Sequence, residues 1–152
     1  MIGTLLGLAW ASWAVVIGWI DRRHRRVSNL WWVAALPMAL LTPFVLHPGR
    51  AWALFLSLSG LLLALALHLG PWMRGWLGGA DLKIYAVIGW GYGALFFLEV
   101  FAIASLLLAV TAAIHRLRSR TPSPRIPVLP TMAVSLVAWT ISGPWWVGGQ
   151  GF

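Results

Sequence analysis

Long apolar runs, separated by short polar or glycine-rich stretches, dominate the chain. Runs of this kind predict membrane-spanning α-helices, because a span needs about 20 apolar residues and lipid offers no water to the backbone. The expected spans lie near residues 2–20, 30–46, 51–69, 82–93, 94–114 and 130–147. No stretch alternates apolar and polar positions as a membrane strand would. The pattern predicts an all-α polytopic membrane protein with about six transmembrane helices, in a single domain over residues 1–152.

The apolar run from 84 to 114 contains no Lys or Arg and is the ambiguous part of this pattern. As one helix its 31 residues would measure about 45 Å, against a hydrocarbon core of about 30 Å. The cluster GWGYG at 89–93 suits a tight turn. Two short helices that meet in a hairpin are therefore predicted.

Positive charge is spread unevenly over the predicted connections. Ten of the eleven Lys and Arg residues lie in or beside the first, third and fifth connections, and Arg50 is the exception. The ten are Arg22, Arg23, Arg25, Arg26, Arg74, Lys83, Arg116, Arg118, Arg120 and Arg125. The positive-inside rule then predicts that these connections face the cytoplasm and that both termini lie outside. The apolar N-terminal run has no preceding positive region, so it is expected to be an uncleaved first span.

Six of the twelve tryptophans lie near predicted span ends, where amphipathic rings favour the membrane interface. They are Trp31, Trp32, Trp72, Trp76, Trp145 and Trp146. We expect these residues to form interfacial belts.

Composition excludes several other classes of protein. With 61% hydrophobic and 9% charged residues, the chain has too few polar side chains to cover a soluble domain. In a membrane protein, the net charge of +8 indicates basic loops beside anionic lipid rather than nucleic-acid binding. The absence of cysteine excludes disulfides, thiolate zinc sites and a cysteine nucleophile. The four histidines lack the close spacing of a metal site, so no metal is expected.

Acidic residues are rare, since the chain contains only Asp21, Asp81 and Glu99. The predicted topology puts Asp21 at the cytoplasmic end of the first span and Asp81 at the cytoplasmic start of the fourth. Glu99 lies roughly 20 Å from that face. Two carboxylates at one depth can hydrolyse a peptide bond, because one takes a proton from water while the other, protonated, polarises the carbonyl oxygen. An interfacial charge, a helix cap or a proton relay would use either aspartate equally well, so position alone leaves these alternatives open.

The two aspartates lie at opposite ends of their helices, and this difference separates their roles. The helix dipole disfavours negative charge on Asp21, at a C-terminus, and favours it on Asp81, at an N-terminus. We therefore expect Asp81 to ionise first and Asp21 to hold the shared proton more readily. The arginines that follow Asp21 oppose this order, and a coupled pair titrates as a unit.

Three motifs carry a resemblance to a known family. The stretch DRRHRRVSN (residues 21–29) resembles the segment of the type IV prepilin peptidase family in which an aspartate precedes a basic run and Ile-Pro-Asn. GGADLK (78–83) resembles the family's second signature, which is Gly-x-Gly-Asp followed by a hydrophobic residue and Lys. RIPVLPTMA (125–133) resembles the Ile-Pro-x-x-Pro entry to the family's last span. The three motifs occur in family order.

The resemblance implies a membrane-embedded aspartic endopeptidase without a cofactor. Members of the family cut the short basic leader from prepilins and pilin-like secretion subunits at the cytoplasmic face of a prokaryotic plasma membrane. By match to the motifs, Asp21 and Asp81 are the catalytic pair. Gly78 and Gly79 occupy the glycine-rich approach to the second aspartate, and Lys83 is the lysine that follows it. The glycines would make room for a substrate strand beside Asp81.

The chain departs from the family pattern at two positions and leaves two roles open. Ala80 stands where the second glycine usually lies, and Ser28 replaces the proline of Ile-Pro-Asn. Asn29 could hydrogen-bond near the site or cap the second span. Lys83 could orient Asp81, meet the substrate or extend to the membrane interface. The extra cytoplasmic segment of the larger, methylating relatives is missing, so the resemblance is to the short, peptidase-only form.

Two rival functions use the same residues. A small proton-coupled transporter would use the aspartates as relays, and a non-catalytic subunit would take part in pilus or secretion assembly. The expected partners are a prepilin or pseudopilin-like substrate and membrane lipid, with no nucleic acid.

Overall fold

The computed structural model describes residues 2–24, 27–46, 49–118 and 128–142. Its regular structure is entirely helical over these ranges, and none of the described residues forms a strand. The helices are α1 (Ile2–His24), α2 (Leu30–Leu46), α3 (Arg50–Met73), α4 (Gly79–Tyr92), α5 (Ala94–Arg118) and α6 (Leu129–Ser142). The predicted all-α class is confirmed, with one helix for each predicted span.

The helices differ in length and in their ability to cross a membrane. Three are long and apolar enough to do so, over Leu5–His24, Ala51–Met73 and Ala94–Ile114. α2 and α6 contain shorter apolar stretches, and the 14 residues of α4 measure about 21 Å. Six crossings and the placement of the termini therefore stay predictions. The last part of the predicted sixth span, with Trp145 and Trp146, lies outside the described residues.

Large apolar side chains cover the outside of the long helices. Leu62 in α3 is 57% exposed, Leu106 in α5 is 65% exposed and Leu5 in α1 is 60% exposed. Contiguous apolar surface of this extent is costly in water and favourable against lipid tails. It agrees with the class of protein that the composition predicts.

The ambiguous run 84–114 is a helical hairpin, as predicted. α4 and α5 are separated by Gly93 alone, whose φ of 84° lies in the left-handed region that a residue with a Cβ rarely adopts. Tyr85 and Phe101 lie eight residues on either side of Gly93, and their ring centroids are 6.4 Å apart. The chain therefore folds back on itself at this glycine.

The backbones of α3 and α4 touch at a pair of glycines. A Cβ placed on Gly60 would collide with the carbonyl oxygen of Gly89, and one placed on Gly89 would collide with the carbonyl oxygen of Gly60. Small residues at a crossing let two helices approach closely in lipid, where close packing replaces the hydrophobic effect as the driving force. This contact fixes the short α4 against the long α3.

Trp10 joins α1, α2 and α4 at the centre of the fold. Its side chain is fully buried, and its indole N–H donates a 2.9 Å hydrogen bond to the Thr42 hydroxyl of α2. Its ring centroid lies 5.3 Å from that of Tyr92 in α4. Elsewhere α1 packs on α6, where a Cβ on Gly18 would lie 3.0 Å from the Ala133 Cβ.

Candidate active site

The two candidate catalytic aspartates lie at the same level of the fold. Asp21 is in the last turn of α1, eleven residues after Trp10, and Asp81 is in the first turn of α4, eleven residues before Tyr92. Eleven helical residues rise about 16 Å and complete three turns to within about 20°. Asp21 therefore lies on the same face of α1 as Trp10, and Asp81 lies on the same face of α4 as Tyr92. In antiparallel helices this places both carboxyl groups at one end, and the charge of Asp21 indeed raises the pKa of Asp81.

Asp81 is held by the glycine that precedes its helix. The backbone N–H of Gly78 donates a 3.0 Å hydrogen bond to Asp81 Oδ2. Gly78 is the N-cap residue of α4 and Asp81 is at the N3 position, so this bond is the half of a capping box that a glycine N-cap permits. The Asp81 carboxyl group that caps α4 is therefore also the one with the candidate catalytic role. Capping orients the carboxylate without excluding chemistry at its second oxygen.

Burial raises the pKa of the Asp81 carboxyl, which precedes the predicted fourth span. Loss of hydration is the largest cause, the Gly78 N–H lowers the pKa by a smaller amount, and the Asp21 charge raises it further. The helix N-terminus alone predicted easy ionisation of Asp81, whereas the pKa is raised because burial outweighs the Gly78 hydrogen bond. The order in which Asp21 and Asp81 titrate stays a prediction. A half-buried pair of repelling carboxyl groups favours retention of one proton, which is the state that acid–base hydrolysis needs.

Gly78 and Gly79 differ in the room that they leave beside Asp81. A Cβ on Gly78 would lie 3.1 Å from Asp81 Oδ2, whereas the nearest atom to a Cβ on Gly79 is Trp72 Nε1, at 3.6 Å. Both glycines are exposed and neither has a positive φ. A Cβ on Gly78 would therefore crowd the carboxylate, which would have to shift by a few tenths of an ångström, whereas the backbone conformation does not call for glycine. Gly79, at the first position of α4, has ordinary space around it.

Lys83 bonds to the chain segment that follows the other aspartate. Its ammonium group donates a 3.0 Å hydrogen bond to Asn29 Oδ1 and lies 5.6 Å from the centroid of the Trp32 ring. Lys83 is two residues after Asp81, which is about 200° around the helix, so it extends away from the carboxylate face. For Asn29, the structure supports hydrogen bonding near the site. The cap-like bond at the start of α2 comes from Ser28, whose hydroxyl accepts from the Leu30 N–H at 3.3 Å.

Tryptophans contribute contacts near the site that the sequence analysis missed. The indole N–H of Trp13, in α1, donates a 3.0 Å hydrogen bond to the backbone carbonyl of Trp31, in α2. Trp31 and Trp32 are half-buried and pack against the core, whereas Trp72 and Trp76 are exposed, as an interfacial belt requires. A belt assignment gives the depth of a residue but not the direction in which its ring points. The sequence carried one related signal, which is that Trp10 precedes Asp21 by eleven residues and Tyr92 follows Asp81 by eleven residues.

The described residues contain no group of three His, Asp or Glu side chains that could hold a metal ion. At this end of the fold lie the two candidate carboxyl groups, with the Gly78 N–H and the Lys83–Asn29 bond around them.

Comparison with known proteins confirms the family resemblance. A model of the Type IV leader peptidase family matches residues 8–113, which is more than half of the chain and includes both aspartates. No curated protein and no solved structure matches the chain significantly. The third motif, RIPVLPTMA at 125–133, lies beyond the matched range, and its first three residues lie outside the described residues.

Proposed function

We propose that this chain, which belongs to the type IV leader peptidase family, is a membrane-embedded aspartic endopeptidase. Its substrates are prepilin-like proteins, from which it removes the basic leader at the cytoplasmic face of the membrane. One observation carries the proposal: the family match spans both Asp21 and Asp81, and these residues come from helices far apart in sequence yet lie near enough for the Asp21 charge to contribute to the raised pKa of Asp81. Two carboxyl groups brought together in this way are the minimum equipment for hydrolysing an amide without a metal or a nucleophilic side chain.

The reaction uses one ionised and one protonated carboxyl group. The ionised carboxylate takes a proton from water as the water oxygen bonds to the scissile carbonyl carbon, and the protonated carboxyl transfers its proton to the carbonyl oxygen. The tetrahedral intermediate collapses when the first group returns its proton to the departing nitrogen and the second regains its own. The C–N bond breaks, and the pair ends with one proton, as it began. Burial and mutual repulsion help to keep that proton on the pair.

The position of the site matches a substrate that is half in lipid. Asp81 lies in the first turn of α4, beside the exposed residues Gly78 and Gly79. A leader junction on the aqueous side would approach this turn, while the apolar helix of the substrate stays in the bilayer against the exposed apolar faces of the long helices. Water, the cosubstrate, reaches the same side.

Buried polar side chains argue against a proton-coupled transporter. The hydroxyls of Thr42, Ser57 and Ser135 each donate to a carbonyl four residues earlier in their own helix. The buried His68 ring bonds to the Ala64 carbonyl in the same way and stacks on Tyr85 at 4.0 Å between ring centroids. These hydroxyls donate within their own helices, and the inter-helix bond that Thr42 accepts comes from the Trp10 indole N–H, which does not pass on protons, so they do not form a relay across the described part of the fold. An assembly subunit without activity would have no need of two coupled carboxyl groups.

Leader removal from a co-expressed prepilin-like protein of the same genome tests the proposal. Mass spectrometry measures the cleaved fraction for the unsubstituted chain, Asp21→Asn and Asp81→Asn, each checked for membrane expression. Either substitution is expected to lower the rate by at least about 100-fold, the scale of a lost acid–base group. Glu99→Gln is the matched control, because it makes the same change from acid to amide at the third acidic residue and should retain cleavage. Cleavage that survives in either aspartate variant would refute the paired mechanism.

A further inference from the structure

α2 is in contact with both helices that carry the aspartates. α1 packs mainly on α6 and also on α2, whereas α4 packs mainly on α3 and also on α2. The direct contact of α1 and α4 through Trp10 and Tyr92 lies about 16 Å from the carboxyl groups along each helix. At the level of the site, the separation of α1 and α4 is therefore set through the start of α2.

The start of α2 is hydrogen-bonded to α1 on one side and to α4 on the other. We call residues 29–32 the α2 entry segment. On one side the Trp31 carbonyl accepts the indole N–H of Trp13, which lies about two turns before Asp21 in α1. On the other side Asn29 Oδ1 accepts the Lys83 ammonium, which also faces the Trp32 ring. Three specific contacts thus connect α1, the α2 entry segment and Lys83 near the start of α4.

The indole N–H of Trp32 adds a second, independent observation about this segment. It is buried and has no hydrogen-bond partner among the described residues. Burying an unpaired donor costs free energy, so its position is not explained by hydrogen bonding. The face of the ring, which attracts the Lys83 ammonium, explains the position better.

We infer that the α2 entry segment is a positioning element for the proposed catalytic pair, and that Asn29, Lys83 and Trp32 are its positioning residues. The inference rests on the proposed function and extends it. The bond from Lys83 to Asn29 holds the start of α4 at a set distance from the end of α1. That distance determines whether the two carboxyl groups can share one proton and act on one carbonyl.

The distance between the carboxyl groups affects both rate and titration. A misplacement of about 1 Å can lower a rate by about 100-fold when two groups must act together. Asp81 and Asp21 also repel each other, so moving them apart lowers the upper of the two apparent pKa values of the pair. A positioning residue should therefore change the shape of the pH–rate profile as well as its height.

Asn29→Ala is the decisive variant, because it breaks the bond to Lys83 without changing any charge. We expect kcat to fall about tenfold, the scale of one charge-assisted hydrogen bond, with KM nearly unchanged. The basic limb of the profile should move to lower pH. Ser28→Ala is the matched control: it removes the neighbouring exposed hydroxyl, which accepts a hydrogen bond from the Leu30 N–H. Its profile should stay in place.

Lys83→Met separates positioning from direct electrostatics by the sign of the shift. If Lys83 acts only as a nearby positive charge, its removal raises the pKa values of the pair and moves the basic limb to higher pH. If it acts through Asn29, the limb moves to lower pH, as in Asn29→Ala. The double variant should then be no slower than the slower single variant, because both changes break the same bond. Additive losses would overturn the inference.

A distance measurement tests the same element without relying on cleavage. The chain contains no cysteine, so spin labels can be attached at Arg23→Cys, near the end of α1, and Trp76→Cys, before α4. Both positions are exposed. In lipid, Asn29→Ala should broaden the distribution of distances between the labels, whereas Ser28→Ala should not.

The outcomes distinguish the two proposals. A broadened distance in Asn29→Ala, together with no cleavage by the unsubstituted chain, would support the positioning element and refute the peptidase proposal. A lower rate with an unchanged distance and an unchanged pH profile would overturn the positioning element and leave the peptidase proposal intact.

Discussion

Gly89→Ala should disrupt the α3–α4 contact and displace Asp81. The new Cβ would lie 2.8 Å from the Gly60 carbonyl carbon and 3.0 Å from the Ala64 Cβ, where ordinary contacts begin at 3.4 Å. The helices must therefore separate by about 0.6 Å or more. Because the obstructing atoms include backbone, which cannot rotate away, we expect a loss of about 3 kcal/mol, at the upper end for overpacking. For a chain of this length, that lowers the Tm by about 6–12 °C.

The loss of activity follows from the rigidity of a short helix. Asp81 lies eight residues before Gly89 in α4, so a displaced α4 carries its carboxyl group with it. Because about 1 Å of misplacement costs about 100-fold, a shift of this size should lower kcat by at least about tenfold. Circular dichroism of detergent-solubilised protein measures unfolding, and leader removal measures activity.

Gly7→Ala is the matched control for this prediction. Its Cβ would lie 3.4 Å from Thr140 Cγ2, an ordinary contact with a side chain. Replacing a helical glycine with alanine in such space should stabilise the protein by up to about 1 kcal/mol. If Gly89→Ala unfolds at the same temperature as Gly7→Ala, the tight α3–α4 contact does not exist in the membrane protein.

Three further predictions concern the site and its orientation. Gly78→Ala should reduce cleavage about tenfold more than Gly79→Ala, because only the first Cβ crowds the Asp81 carboxylate; equal rates would refute this. Asp81→Asn should raise the Tm at pH 7 and leave it unchanged near pH 3. A carboxyl group whose folded pKa is raised costs stability that grows as the pH rises above its unfolded pKa, and a gain that does not vary with pH would contradict the burial effect. A cysteine at Arg23 should react with an impermeant maleimide only in inverted vesicles and one at Gly49 only in intact cells, whereas the opposite pattern would reverse the predicted topology.

The sequence predicted those parts of the structure that depend on local or one-dimensional rules. The break near Gly93 followed from the length of the apolar run and from the glycine cluster at 89–93. The common level of Asp21 and Asp81 followed from the assignment of the basic connections to one side of the membrane. These rules concern the length of a helix and the side of the membrane on which its ends lie, and they do not depend on which helices pack together.

The contacts around the site could not be predicted, because they depend on how the helices are rotated and packed. Lys83 and Asn29 are 54 positions apart, and nothing local pairs them. The burial that raises the pKa of Asp81 exists only in the folded chain, so the dipole argument alone gave the opposite direction. The eleven-residue spacings from Trp10 to Asp21 and from Asp81 to Tyr92 are visible in the sequence. They acquire meaning only once Trp10 and Tyr92 are known to touch.

The two ends of α4 are held by contacts of different kinds, and this difference bears on function. At the far end, Gly89 and Gly93 meet α3 backbone to backbone, in a contact that no side-chain motion can relax. At the site end, the bond between Lys83 and Asn29 is exposed, and exposed bonds open more readily than buried packing. α4 is therefore fixed where it meets α3 and adjustable where it carries Asp81. It follows that substitutions at the glycine contact should lower stability and activity together, whereas Asn29→Ala, which breaks only the exposed bond, should change activity and titration with little effect on the Tm.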